Sequence, residues 1–206
     1  MVITENGWRA AVLNRRMLTC VFTGLASGMP LYVLLQLVPA WLRDQGVSLT
    51  EIGLFALVGI PYVWKFLWAP MMDRWIPPLL GRRRGWMFIC QLALIVSIGM
   101  LGAFDPQQST WVIAWLAFGV AFFSASQDVA IDAFRREILP DHELCLGNSI
   151  HVQAYRVSSL VPGSLSLVLA DLLPWSTVFW ITALFMLIAV FMSLLVDEPA
   201  FDAPAD

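Results

Sequence analysis

Four ionisable side chains interrupt otherwise apolar stretches of this chain: Lys65, Asp128, Asp132 and Arg156. A charge at the centre of a bilayer costs about 2.5–3.5 kcal/mol even on the lenient insertion scale. Such residues therefore face a bundle interior, a partner or a water-filled cavity. Asp128 and Asp132 are spaced i, i+4 and share one helical face, which Gln127 and Ser124 flank. Gln153 lies one turn before Arg156, and Gln36 adds a polar group nearer the opposite side. Two chemistries fit this set. In one, Lys65, Asp128 and Arg156 are structural ion pairs that tie helices together. In the other, they border a polar cavity for a hydrophilic, anionic solute, with a carboxylate able to take up a proton. Asp132, closer to the aqueous edge, is the more structural of the two acids. Neither a metal nor a cofactor is expected. His142 and His151 have no i+4 partner, whereas a metal site needs three or four converging ligands. Cys20, Cys90 and Cys145 are an odd, widely spaced set and read as unpaired thiols. Neither a nucleophile elbow nor a Walker loop is present.

The elements that must carry these residues follow from composition. The chain has 206 residues, 59% hydrophobic and only 13% charged, against about 45–50% and about 25% in an ordinary soluble domain. That excludes a water-soluble globule, and it excludes disorder as well. Ten Trp and thirteen Phe suit aromatic belts at two membrane interfaces. A crossing helix needs about 20 mainly apolar residues, and six windows meet this: 17–40, 51–72, 86–104, 111–133, 147–171 and 175–196. The runs are too long for strands and lack period-two alternation. Asp105-Pro106 stops the third window, Pro174 separates the last two, and Ser48 to Glu51 carries a helix start before the second. Arg9, Arg15, Arg16, Arg74, Arg82, Arg83, Arg84, Arg135 and Arg136 fall on one side, and Arg43 alone on the other. The positive-inside rule then places both termini in the cytoplasm. The first window is longer than a signal-peptide core and lacks a small-residue cleavage site, so it reads as a retained helix. The expectation is an all-α membrane protein: a six-helix transmembrane bundle over 1–196, then a short acidic tail, 197–206, that is disordered.

The helix rise of 1.5 Å per residue turns sequence position into depth. Lys65 lies about 12 Å in from Asp73, Asp128 about 10 Å from Arg135, and Arg156 about 13 Å from Gly147. Windows two, four and five thus bring their charges to one layer, while windows three and six have no ionisable residue in their interiors. Gly24, Gly28 and Pro30 in window one, Gly59 and Pro61 in window two, and Pro162 and Gly163 in window five permit close helix approach or bending. The loop Asp73-Arg74 to Gly81-Arg82-Arg83-Arg84 is a topogenic basic segment that could also attract anionic lipid. Pinned to the membrane, it is no nucleic-acid patch.

The Asp-Arg pair that closes window two, followed by a glycine and an arginine run, resembles the signature loop of the major facilitator superfamily. Ala69 replaces the usual leading glycine, and a longer proline-containing spacer separates Asp73-Arg74 from Gly81-Arg82-Arg83. Whole phrases are more specific. Phe22 to Pro30, Gly46 to Leu57, Lys65 to Pro70, Gly81 to Trp86, and Ser124 to Asp128 with Ile131-Asp132-Ala133 are similar to AmpG-type muropeptide permeases. The resemblance covers about residues 15–196 and implies proton-driven import of anhydromuropeptides across the bacterial inner membrane for cell-wall recycling, linked to induction of β-lactamase. It further implies that helices one, two, four and five border the cavity, consistent with the charge distribution. Lys65, Arg156, Gln127 and Gln153 would suit a substrate carrying sugar hydroxyls and peptide carboxylates. Asp73, Arg74, Gly81, Arg82 and Arg83 would belong to a cytoplasmic gate. The family has at least twelve spans, so this chain is expected to be a fragment, or to pair with a second six-helix half supplied by another copy or chain.

Three other readings stay open. A related carrier could take another anion, such as acetyl-CoA. Asp128-x-x-x-Asp132 resembles the terminal carboxylates of metal-dependent lipid phosphotransferases, but the upstream elements of those enzymes are absent. A non-transporting membrane subunit would use the buried charges only to hold its helices.

Overall fold

Lipid offers no partners to backbone amides, so a long apolar run satisfies them by coiling on itself. The computed structural model describes residues 14–78 and 80–196, and all regular structure among them is helical. Five helices are long and apolar enough to cross a membrane: α1 (Arg15–Asp44), α2 (Leu49–Leu67), α3 (Arg82–Leu101), α4 (Thr110–Ile138) and, last in the chain, Trp175–Leu195. Between α4 and that last helix lies α5 (Leu144–Val157), followed by a π-helical turn, Val161–Leu165, and a short helix, Ser166–Ala170. The last long helix is α6. The crossing window expected over 147–171 is therefore interrupted, at the proline that the sequence marks as a bend. Pro162 has no amide hydrogen and cannot continue an α-helical ladder, so the backbone widens around it. The tail 197–206 and Arg9 lie outside the described residues.

Local signals start the helices where the sequence places them. The Asn14 side chain accepts from the Met17 amide at 2.8 Å to cap α1. Ser48 and Glu51 form a reciprocal capping box at the start of α2. α2 then tightens twice into 3-10 geometry, at Phe55–Gly59 and Lys65–Leu67, with Pro61 in the first turn of the segment between them. After Trp68 a short helix, Ala69–Arg74, carries the chain to the basic loop.

Two ends of the bundle can be told apart. At the basic end, Arg15 donates to the Leu195 carbonyl at 3.2 Å, and Arg84 donates to the carbonyls of Ser193 at 2.9 Å and Leu194 at 2.8 Å. These arginines satisfy carbonyls that the end of α6 leaves without intrahelical donors. Arg16 pairs with Glu143 at 3.4 Å beside the start of α5. At the other end, the Trp175 indole donates to Asp44 at 2.8 Å, and Gln107 donates to the Gln45 carbonyl at 2.8 Å. The main core lies toward this second end, where Val33, Leu37, Trp41, Leu94, Ile98 and Phe179 are buried. Trp41 meets Phe179 edge-on, with ring centroids 5.0 Å apart.

α1 and α5 approach through small residues. A Cβ on Gly24 would strike the His151 carbonyl, and one on Gly28 would strike the Tyr155 carbonyl and the Ser158 hydroxyl. Backbone therefore meets backbone along this seam, as small-residue interfaces in lipid permit. α2 is different. Leu54, Leu57, Val63 and Phe66 are exposed, and only Pro61 and, after Trp68, Met72 are buried. Substituting Gly28→Leu should cost about 3 kcal/mol by overpacking the seam, read as a lowered Tm in detergent. Gly53→Leu, where nothing lies within 4 Å of the added carbon, should leave Tm unchanged.

Candidate functional site

Asp128 projects from α4 toward α1. Ser27, buried on α1, donates its hydroxyl to the Asp128 carboxylate at 2.5 Å. The preceding residue, Gln127, is fully buried and donates to the Ala26 carbonyl at 3.0 Å, which leaves its Oε1 buried with no partner. Ser126 accepts from the Trp68 indole at 3.0 Å. One turn along α4, Asp132 meets Lys65 of α2 at 3.9 Å and Arg135 of its own helix at 2.9 Å. Lys65 and Arg135 are also within electrostatic reach of Asp128. Of the layer expected from depth, Lys65 and Asp128 come within reach of one another, and Asp132, nearer the aqueous edge, joins them through Lys65. Asp128 and Asp132 turn to different partners, so they do not present one shared edge to a ligand.

Arg156 departs from the expectation. It is exposed, as is Gln153, and its guanidinium makes no hydrogen bond or ion pair with the described residues. The reason is azimuth. α5 turns Gly147, His151 and Ala154 inward to pack on α1, and two steps beyond Ala154 is a rotation of about 200°. Arg156 therefore sits on the face turned away from α1, and its expected place in the neutralising set is taken by Arg135. Gln36 is likewise apart from the cluster. Its Oε1 is buried without a partner and occupies the space a Cβ on Gly163 would need, where the π-helical turns Val33–Leu37 and Val161–Leu165 meet. Pro30 lies inside α1 just before the first of these turns.

Several residues at the cluster carry no signal in the charge pattern. Ser27 is one, although it shares the small-residue face of Gly24 and Gly28. Tyr62 of α2 and Tyr155 of α5 are others, both within electrostatic reach of Asp128. Their polar tips within apolar windows are the signal that could have found them.

At the basic end, Arg83 is largely buried and joins Asp73 to Glu137, with 2.8 Å to the latter. Arg82 reaches the same Glu137 at 2.8 Å. Glu137, in the last turn of α4, is missed by a count of cations alone. Gly81 enters α3 at φ +90°, a backbone state that favours glycine. Arg74 is exposed and outside this network, so the expected gate residues do not all converge.

Two measurements follow from this geometry. The long, part-exposed Lys65–Asp132 pair should show a coupling of about 0–1 kcal/mol in a double-mutant cycle with Lys65→Met and Asp132→Asn, read as thermal stability. Arg83→Ala should cost about 1–3 kcal/mol, because Glu137 and Asp73 lose charged donors. Arg83→Lys should recover only part of that, since lysine lacks the planar fork.

The chain matches the Major Facilitator Superfamily model over residues 17–205. It is 50% identical over 199 residues to a Haemophilus influenzae protein described only as uncharacterized, a match covering 96% of this chain and 47% of that protein. It is 43% identical over 183 residues to the anhydromuropeptide permease of Escherichia coli K12, covering 88% of this chain and 37% of the permease. The chain therefore spans less than half the length of these relatives.

Proposed function

The chain belongs to the major facilitator superfamily, and from that premise we propose that it supplies a six-helix half of a carrier importing anhydromuropeptides into the cytoplasm. The relatives support a membrane transporter. The observation that supports this particular reading is the polar cluster shared by α1, α2 and α4, in which Asp128 takes a hydroxyl from Ser27 and lies within reach of Lys65. A cation and an acid at a similar depth inside apolar helices, with a second acid one turn away, form a site for a hydrophilic solute with carboxylates of its own. In this proposal Lys65 attracts those carboxylates.

Coupling to protons follows from the same group. Protonation of Asp128 would remove one of the two acid charges near Lys65 and so strengthen that cation's hold on the solute. Arg156 and Gln153, turned away from α1, would face the solute or the second six-helix half. The broken α5 segment would complete the sixth crossing, with both termini in the cytoplasm and the basic end at the cytoplasmic face of the inner membrane. Asp73, Arg82, Arg83 and Glu137 would form the gate there. Import of these fragments would feed cell-wall recycling and supply the signal for β-lactamase induction.

The test uses cells with no other muropeptide permease, expressing the gene that encodes this chain. Asp128→Asn should lower proton-driven uptake of labelled anhydromuropeptide at least about tenfold, equivalent to about 1.4 kcal/mol, with the amount in the membrane unchanged. Normal uptake by both Asp128→Asn and Arg156→Ala would remove the two residues from the mechanism.

A further inference from the structure

Most buried hydroxyls in these helices bond their own backbone. Thr19, Thr23, Ser126, Thr182 and Ser193 each donate to the carbonyl four residues back, the local bond open to a serine or threonine in a helix. Ser27 departs from this pattern. It is buried in the middle of α1, and its one proton passes over the Thr23 carbonyl and reaches across to the Asp128 carboxylate at 2.5 Å. Among the described residues Ser27 is the only hydrogen-bond partner of Asp128. Other groups act on Asp128 at longer range: Lys65 and Tyr62 from α2, Cys90 from α3, Tyr155 from α5, and Asp132 and Arg135 from α4 itself. The neighbours of both partners make a second bond across the same joint, in which the Gln127 amide donates to the Ala26 carbonyl at 3.0 Å.

The two bonds respond differently to a proton. Gln127 and the Ala26 carbonyl are neutral, so a change of charge on Asp128 leaves their bond in place. A carboxylate can only accept, whereas a carboxylic acid has a proton to donate. A hydroxyl, with one proton and two lone pairs, can answer both. We propose that Ser27 is a two-way positioning residue for Asp128: it donates to the carboxylate and, once a proton has arrived there, accepts from the acid while turning its own proton to the Thr23 carbonyl. Asp128 then stays fastened to α1 in both charge states. The change of charge is felt instead by Lys65 on α2, the helix that buries little apolar surface. This role rests on the proton-coupled reading above and assigns to Ser27 the holding of the group that takes up the proton.

The experiment is infrared difference spectroscopy on the protein purified from cells expressing the gene that encodes this chain and returned to liposomes. The carboxyl band of Asp128 is identified by its loss in Asp128→Asn. A hydrogen bond to the anion is about twice as strong as one to the neutral acid. Ser27→Ala therefore favours the acid, and the midpoint of the band's pH titration should move up by about one unit. The band itself should move to higher wavenumber, because the acid O–H has lost its acceptor. Ser27→Thr keeps the hydroxyl and should hold the midpoint within about a third of a unit. If Ser27→Ala does not accumulate, Ser27→Cys, a weak donor of similar size, decides in its place. An unmoved midpoint, or an equal movement in Ser27→Ala and Ser27→Thr, overturns the role. A moved midpoint with an unmoved band overturns it too, since Ser27 would then serve the anion alone. Uptake of labelled anhydromuropeptide by the same liposomes separates this role from the functional reading: the limb of its pH profile set by Asp128 should follow the midpoint. Uptake that is absent or independent of pH in the unsubstituted protein overturns the proton-coupled reading, while a displaced midpoint and band still support Ser27 as the two-way partner of Asp128.

Discussion

A carboxylate inside an apolar bundle needs donors and a counter-charge, and Asp128 draws both from helices other than its own. Ser27 on α1 supplies the hydroxyl and Lys65 on α2 the cation. This requirement constrains the rest of the interior. α1 must come near α4 at Ser27, which its Gly24 and Gly28 face permits while the same face packs on α5. α2 must present Lys65 at the level of Asp128 and Asp132, although α2 buries little apolar surface. Its attachment is instead polar and aromatic: Lys65 to Asp132, the Trp68 indole to Ser126, and the Trp68 ring 5.0 Å from Phe122. A helix held by few such contacts opens more easily than one sealed backbone to backbone. The bundle thus combines a tight pair, α1 with α5, and a loosely fastened member, α2.

The two ends are closed by different chemistry. The basic end uses arginines, which satisfy the last carbonyls of α6 and bridge α3 to Asp73 and Glu137. The other end uses an indole and an amide, from Trp175 and Gln107. Guanidinium suits the first task because several fixed donors can serve several acceptors at once. Contacts in both sets join segments distant in sequence, so each end helps to fix which helices are neighbours. Ionic strength should matter mainly at the first end, where the contacts are charged.

Much of this was readable in the residues, and the failures share one cause. The helix start at Ser48, the stops at Asp105-Pro106 and Pro174, and the bend that Pro162 permits are local, so sequence carries them. Depth along a helix is also local, which is why Lys65 of α2 and Asp128 of α4 come within reach of one another. Rotation about the axis is not local. Arg156 has the right depth but faces away from α1, because the packing of Gly147, His151 and Ala154 sets how α5 turns. Lys65 and Asp132 come together, while Ser27, Tyr62 and Tyr155 join the cluster without any charge to announce them. Glu137 was invisible to a count of cations, though it closes the network at the basic end.

The π-helical turn at Val33–Leu37 has an effect beyond its own five residues. Such a turn accommodates one residue more than an α-turn does in a similar rise. Everything after it on α1 is rotated relative to a regular continuation by about 100°. Trp41 reaches Phe179, and Asp44 reaches Trp175, only at that setting. The wide turn therefore acts as a phase corrector: it lets the first part of α1 keep its glycine seam against α5 while the last part addresses a different neighbour, α6.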